Sequence, residues 1–271
     1  MTTTMQISSP LPRAFTLLEV LAVLAVVGLL AGLLLAAASR AQANASGTIC
    51  LANLRQLQVT WQLYVDDFRG SVPPNRAQLV GEHWRSTPDS WIGSSNAPHD
   101  RDARPIQQGL WFAYGYNRAV TLYVCPADRS TARTFAGQPL NRRRTRSVSL
   151  NGNLGGRTAE RQRTVERLAA VTDPARLFGF VDEAADSIDD AHFLVWPAPD
   201  RRWVNLPADR HAQTGVFSFV DGHGERWKWQ HPKRFTPRPS FWKPAESPAD
   251  REDLGRLQQH TLGGPVLAQE P

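Results

Sequence analysis

Several things are scarce in this 271-residue chain, and each scarcity narrows what it is. No charged side chain occurs from Val20 to Ala38, and no proline between Arg13 and Pro73. The uncharged run exceeds the apolar region of about 7–15 residues usual in a secretory signal peptide, so a retained anchor fits better. The missing prolines permit one nearly continuous helix from about Thr16 to Phe68, roughly 80 Å long. Cysteine is limited to Cys50 and Cys125, neither in a recognisable catalytic signature. A nucleophile elbow, a His-Glu-x-x-His zinc pair and a glycine-rich phosphate loop are all missing, so nothing marks the chain as an enzyme and no metal ligands are assigned.

What is present begins with the apolar block Phe15 to Ala38. As a helix it covers roughly 28 Å after Val20, matching a bilayer core of about 30 Å. Glu19 lies inside this block, where a carboxylate costs on the order of 3 kcal/mol at a helix centre and less near an end. Further on, Leu54, Leu57, Trp61, Tyr64 and Phe68 recur at alternating steps of three and four. They form one stripe of the helix, which is expected to pack on a globular domain. The segment Gly70-Ser-Val-Pro-Pro-Asn75 stops the helix.

Beyond it lie short apolar runs bounded by turn residues: Leu122 to Cys125, Ser147 to Leu150, Leu177 to Val181 and His192 to Trp196. Each has strand length. The clearest element is Gly215 to Trp229, two alternating strands around Asp221-Gly222, a strong hairpin signal. After Gln230, Pro232, Pro237, Pro239, Pro244 and Pro248 fall among charged residues, which predicts a loosely ordered tail. The expected organisation is a leader at 1–14, a long helix at 15–70 with its transmembrane part at 15–38, a head at 71–230 and a Pro-rich flexible tail at 231–271. The fold class is α+β, the helix packing on a small antiparallel sheet.

The net charge of +6 is concentrated between Arg142 and Arg167, where eight Arg (142, 143, 144, 146, 157, 161, 163, 167) face Glu160 and Glu166. A solvated basic loop is the ordinary reading, and a polyanion contact surface the alternative. The late tryptophans 196, 203, 227, 229 and 242 read mainly as core and cross-strand packing, with a binding platform as the other option. Cys50 and Cys125 would close a long loop if they form a disulfide, which sequence cannot decide.

The string Ala14-Phe-Thr-Leu-Leu-Glu19 resembles the cleavage and methylation motif of type IV prepilins, with Ala14 where that family has Gly. The resemblance implies that a prepilin peptidase cuts between Ala14 and Phe15 and methylates the new amine. It also implies that Glu19, then the fifth residue, pairs with the N-terminal amine of a neighbouring subunit. A second resemblance spans roughly residues 14 to 229. His211, nine residues, then Asp221-Gly222 is similar to the H-X9-DG region of prepilin-like proteins. So are Cys50-Leu-Ala-Asn-Leu-Arg-Gln56, Cys125-Pro-Ala-Asp128, Val181-Asp-Glu183 with Asp186-Ser-Ile-Asp189, and Leu206-Pro-Ala208.

Together these imply a pseudopilin of a type II secretion or type IV pilus-like filament, crossing the bacterial inner membrane once with its head in the periplasm. Its implied partners are the prepilin peptidase and other pilin or pseudopilin subunits, with no nucleic acid. Nine intervening residues hold His211 and Asp221 about 30 Å apart along an extended strand at about 3.3 Å per residue, so a His cap and an Asp-Gly turn are expected rather than a catalytic pair. Some pseudopilins carry calcium, and Asp182, Glu183, Asp186, Asp189 and Asp190 offer oxygen ligands, though without EF-hand spacing. The alternative to an assembly subunit is a membrane-anchored periplasmic binding module for polysaccharide or DNA, using the Arg142 to Arg167 region and the late tryptophans.

Overall fold

The computed structural model describes residues 16–114, 116–156, 164–234 and 242–262. In chain order it contains α1 (Leu17–Asp67), β1 (Ala77–Val80), β2 (His83–Ser86), the single turns α2 (Arg104–Gln107) and α3 (Leu110–Ala113), β3 (Thr131–Arg133) and β4 (Pro139–Arg143). There follow β5 (Val148–Asn151), β6 (Phe178–Asp182), β7 (His192–Phe193), β8 (Arg202–Trp203), β9 (Thr214–Phe219), β10 (Gly224–Lys228), β11 (Lys243–Pro244) and α4 (Pro248–Gln259). The chain divides into two compact units, residues 1–42 and 43–271, and α1 contributes to both.

In the first unit, the apolar side chains of α1 from Leu17 to Leu35 are exposed, and the helix is long and apolar enough to cross a membrane. In the second, α1 buries Leu54, Leu57, Trp61 and Tyr64 of the predicted stripe, and Cys50 one turn before it. Phe68 closes that stripe by stacking on Tyr64, with ring centroids 4.2 Å apart. Beyond Asp67 the chain reverses through Arg69 and Gly70, both at positive φ, and the Gly70 amide donates to the Val65 carbonyl at 2.7 Å. Gly70 supplies a left-handed conformation that a helix C-terminus needs to satisfy its last carbonyls.

The head is built on a five-stranded sheet of order β10-β9-β6-β5-β7. All its pairings are antiparallel except the edge pair β5 with β7, which is parallel. Both faces are covered. Val148, Leu150, Phe180 and Val216 point into a core shared with α1. Phe178, Val181, Phe217, Phe219, Trp227 and Trp229 form a second core closed by Leu254 and Leu257 of α4. A sheet buried on both sides accounts for strands that read as continuous apolar runs rather than clean alternation.

Three expectations need correction. Leu122 to Cys125 is not a strand: Val120–Tyr123 is a 3-10 turn, closed by the Leu122 amide on the Ala119 carbonyl at 3.1 Å. The described part of the tail is ordered, since α4 starts at a Ser247 cap that accepts the Asp250 amide, has Pro248 in its first turn, and buries Leu254 and Leu257. The prolines bracket this helix rather than prevent it, because proline at the first helical position loses no needed hydrogen bond. Residues 235–241 and 263–271 of the expected tail lie outside the described residues. Finally, the Arg-rich region is not one solvated loop, for Arg144 and Arg146 are buried. The Arg146 guanidinium donates to the Val148 carbonyl at 2.9 Å, to Ser149 Oγ at 3.1 Å and to the carbonyls of Asp189 and Asp190. Arg157, Arg161 and Arg163 lie outside the described residues.

Candidate functional site

At the N-terminal end of α1, Glu19 and Thr16 form a reciprocal cap. The Thr16 amide and hydroxyl donate to Glu19 Oε2 at 2.8 and 2.9 Å, and the Glu19 amide donates to Thr16 Oγ1 at 3.3 Å. This is a capping box, in which each side chain satisfies the other residue's orphan backbone amide. Glu19 therefore has a local role in starting the helix. Ala14 and Phe15 lie outside the described residues.

The other site residues converge in the head. His211 lies just before β9 and Asp221-Gly222 just after it, so the strand separates them, as expected. The turn is carried by Gly222 at φ +98°, with Asp221 Oδ1 accepting the His223 amide at 3.1 Å. Gln62 of α1 donates to the Val220 carbonyl at 3.0 Å, seating the turn against the helix. Among the described residues the His211 ring does not cap backbone; it meets the side chains of Ser46 and Cys125. It is fully buried and stands beside both cysteines and Asp182, with one ligand-type atom from each of the four within 4.8 Å of the others. Among the described residues no other grouping of three or more Cys, His, Asp or Glu comes together in this way.

Four segments build this cluster. Cys50 projects from the buried stripe of α1. Cys125 follows the 3-10 turn and is fixed by its amide donating to Ser147 Oγ at 2.8 Å. Asp182 ends β6, and His211 precedes β9. His211 Nε2 stands 3.2 Å from Cys125 Sγ and 4.0 Å from Asp182 Oδ2. Its Nδ1 is 3.2 Å from Ser46 Oγ. The Ser46 hydroxyl also donates to the Ala43 carbonyl at 3.0 Å. His211 thus presents Nδ1 to Ser46 and Nε2 to Cys125 and Asp182.

The sulfurs lie side by side as free thiols. A hydrogen bond between them, with burial adding to it, pushes the Cys50 thiol well up. The same bond brings Cys125 down to about 7, helped by His211 against the opposing effects of burial and Asp182.

Asp182 is held by Arg210, whose Nε and Nη2 donate to its two oxygens at 2.8 and 3.0 Å, and by Ser147 Oγ at 2.8 Å. Burial disfavours the Arg210 charge, but Asp182 and Asp128 more than offset it and hold the guanidinium charged. The acidic run does not act together. Glu183 accepts from Ser149 Oγ at 2.6 Å, Ser187 Oγ at 2.7 Å and Asn205 Nδ2 at 2.7 Å, and burial raises its carboxyl to about 8. Asp186 is exposed, and Asp190 Oδ1 accepts the His192 amide at 2.7 Å. Glu183 and Asp190 are thus engaged by protein donors, while Asp186 faces solvent.

Sequence reading paired Cys50 with Cys125 as a possible disulfide, where the structure has two free thiols, and named Asp182 and His211 in separate motif fragments. It missed their convergence, together with Ser46, Ser147 and Arg210, because only the packing of α1 against the sheet brings the four segments together. Comparison with family models, with curated proteins and with solved structures finds no match.

Proposed function

We propose that the chain is a pilin-like structural subunit, a pseudopilin of a type II secretion or type IV pilus-like filament, matured by a prepilin peptidase. Its role is assembly rather than catalysis. The observation that carries this reading is helix α1. One segment of it presents only apolar side chains to its surroundings from Val20 to Ala38, and a later segment of the same helix supplies the core of a folded head.

Apolar surface of this extent calls for a bilayer or for equivalent helices of neighbouring subunits, since leaving it in water costs about 25 cal/mol per Å². Glu19 fits the same reading. Capped by Thr16 in the single chain, its carboxylate in an apolar filament core needs a cation, and the amine that cleavage creates at Phe15 provides one four residues away in sequence on a neighbouring copy. In this reading the anchored chain crosses the inner membrane once and keeps its head in the periplasm.

Intact-mass spectrometry of the chain co-produced with a prepilin peptidase tests the processing step, and incorporation of a Glu19→Ala variant into filaments tests the pairing. A product beginning at methylated Phe15, with incorporation lost in the variant, is expected. A chain that keeps residues 1–14, or a variant that assembles as well as its parent, overturns the reading.

A further inference from the structure

We propose that Cys50, Cys125 and His211, with Asp182 as fourth ligand, form a structural site for a divalent cation of the zinc class inside the head. The ligand types suit it: two thiolates and an imidazole favour zinc over the hard cations, which prefer all-oxygen shells. The geometry suits it too. Tetrahedral ligands at about 2.0–2.3 Å from zinc stand roughly 3.3–3.8 Å from one another. Here Nε2 to Cys125 Sγ is 3.2 Å, Nε2 to Asp182 Oδ2 is 4.0 Å, and all four ligand atoms fall within 4.8 Å. The widest separation must close by about 1 Å to complete the shell.

The polarity of the cluster points the same way. The Ser46 contact at Nδ1 leaves Nε2 of His211 turned toward Cys125 and the Asp182 carboxylate in a buried site. A cation at the centre satisfies the imidazole, the carboxylate and both sulfurs at once. Charge balances as well: binding one divalent ion and releasing two thiol protons leaves the net charge of the buried group unchanged. Arg210 on Asp182 and Ser46 on His211 then act as the outer partners that orient metal ligands. Because the ligands come from α1, the segment after the 3-10 turn, β6 and the segment before β9, the ion would join the helix to the sheet and bind as the head folds.

The test uses the full chain purified in detergent from zinc-supplemented cells. Metal analysis is expected to find one zinc per chain, and a mercurial thiol reagent to release it as two thiols react. Replacing zinc with Co(II) should give a sulfur-to-cobalt charge-transfer band from two thiolates. Cys50→Ser should halve that band, and Ser46→Ala should weaken zinc binding by about 10- to 100-fold. Asp221→Asn, in the hairpin turn, should retain the metal. If Cys50→Ser fails to fold, the cobalt spectrum of the unsubstituted chain decides alone. Two outcomes overturn the proposal. One is a chain lighter by two hydrogen atoms and free of metal, which is a Cys50–Cys125 disulfide. The other is a folded chain with two thiols that takes up neither Zn(II) nor Co(II).

Discussion

Replacing Lys233 with methionine tests whether the C-terminal helix is part of the folded head. The Lys233 ammonium is buried, donating to Asp250 Oδ1 at 2.8 Å and Asp253 Oδ2 at 2.6 Å, and it sits 4.8 and 5.0 Å from the ring centres of Trp203 and Trp229. Both carboxylates belong to α4. Asp250 also accepts from Trp203 Nε1 at 3.2 Å, and Asp253 from the amides of Gln230 and His231. Methionine fills much the same volume but leaves two buried carboxylates without their cation. Breaking a buried pair by removing one partner costs about 3–5 kcal/mol.

With a urea dependence of about 2–3 kcal/mol per molar, the unfolding midpoint of Lys233→Met should fall by roughly 1–2 M. Tryptophan emission reports the transition, since Trp203 and Trp229 line the site. Converting Asp250 and Asp253 to Asn in the same chain should recover most of the loss, because the unpaired charges are then gone. Acid provides a further check. Burial pushes the Asp250 carboxyl up, but Lys233 and its other donors bring it below the usual carboxylate range. Its stabilising effect is therefore present above the unfolded value and lost as pH falls through the folded one, so the gap between parent and variant should narrow in acid. A midpoint that does not move would refute the claim that α4 is clamped to the head by this group.

Two other outcomes follow from the packing. Gly179 in β6 faces Gln58 of α1 so closely that an added Cβ would lie 2.0 Å from Oε1 of that buried side chain; Gly179→Ala should cost about 1–3 kcal/mol, read as a lower thermal midpoint, with Gln58→Ala in the same chain relieving part of it. His192 donates from Nε2 to the Gly152 carbonyl at 2.9 Å, and burial lowers its pKa to about 4. The unfolded chain thus takes up the proton first, and stability fully present above about pH 6.5 should decline by up to about 3 kcal/mol by pH 4. Subtracting the profile of His192→Gln, which keeps a donor but cannot titrate there, should isolate that decline.

The parts of the fold that sequence displayed were those set by local periodicity and turn chemistry. The α1 stripe at Leu54, Leu57, Trp61 and Tyr64, the stop at Gly70 and the Asp221-Gly222 hairpin each depend on residues within one or two turns of each other. The 3-10 turn at Val120–Tyr123 escaped because a four-residue apolar run has no period to distinguish strand from turn, and its burial comes from distant residues. α4 escaped for a different reason. Ser247-Pro248 followed by Asp250 is a legible helix start, but the helix is short, its surroundings are proline-rich, and only Leu254 and Leu257 give it an apolar face. The Cys50, Cys125, Asp182 and His211 cluster was legible as four residues and not as one site. Their proximity is a product of tertiary packing, which no spacing along the chain encodes.

The two-sided burial of the sheet has a consequence in time. The first face can close once α1 and β5, β6 and β9 have been made, because the residues that cover it come early in the chain. The second face waits for Leu254 and Leu257. During synthesis from the N-terminus, Phe178, Phe217, Trp227 and Trp229 are all made before their cover exists. The head therefore cannot reach its final stability until Leu254 and Leu257 have emerged.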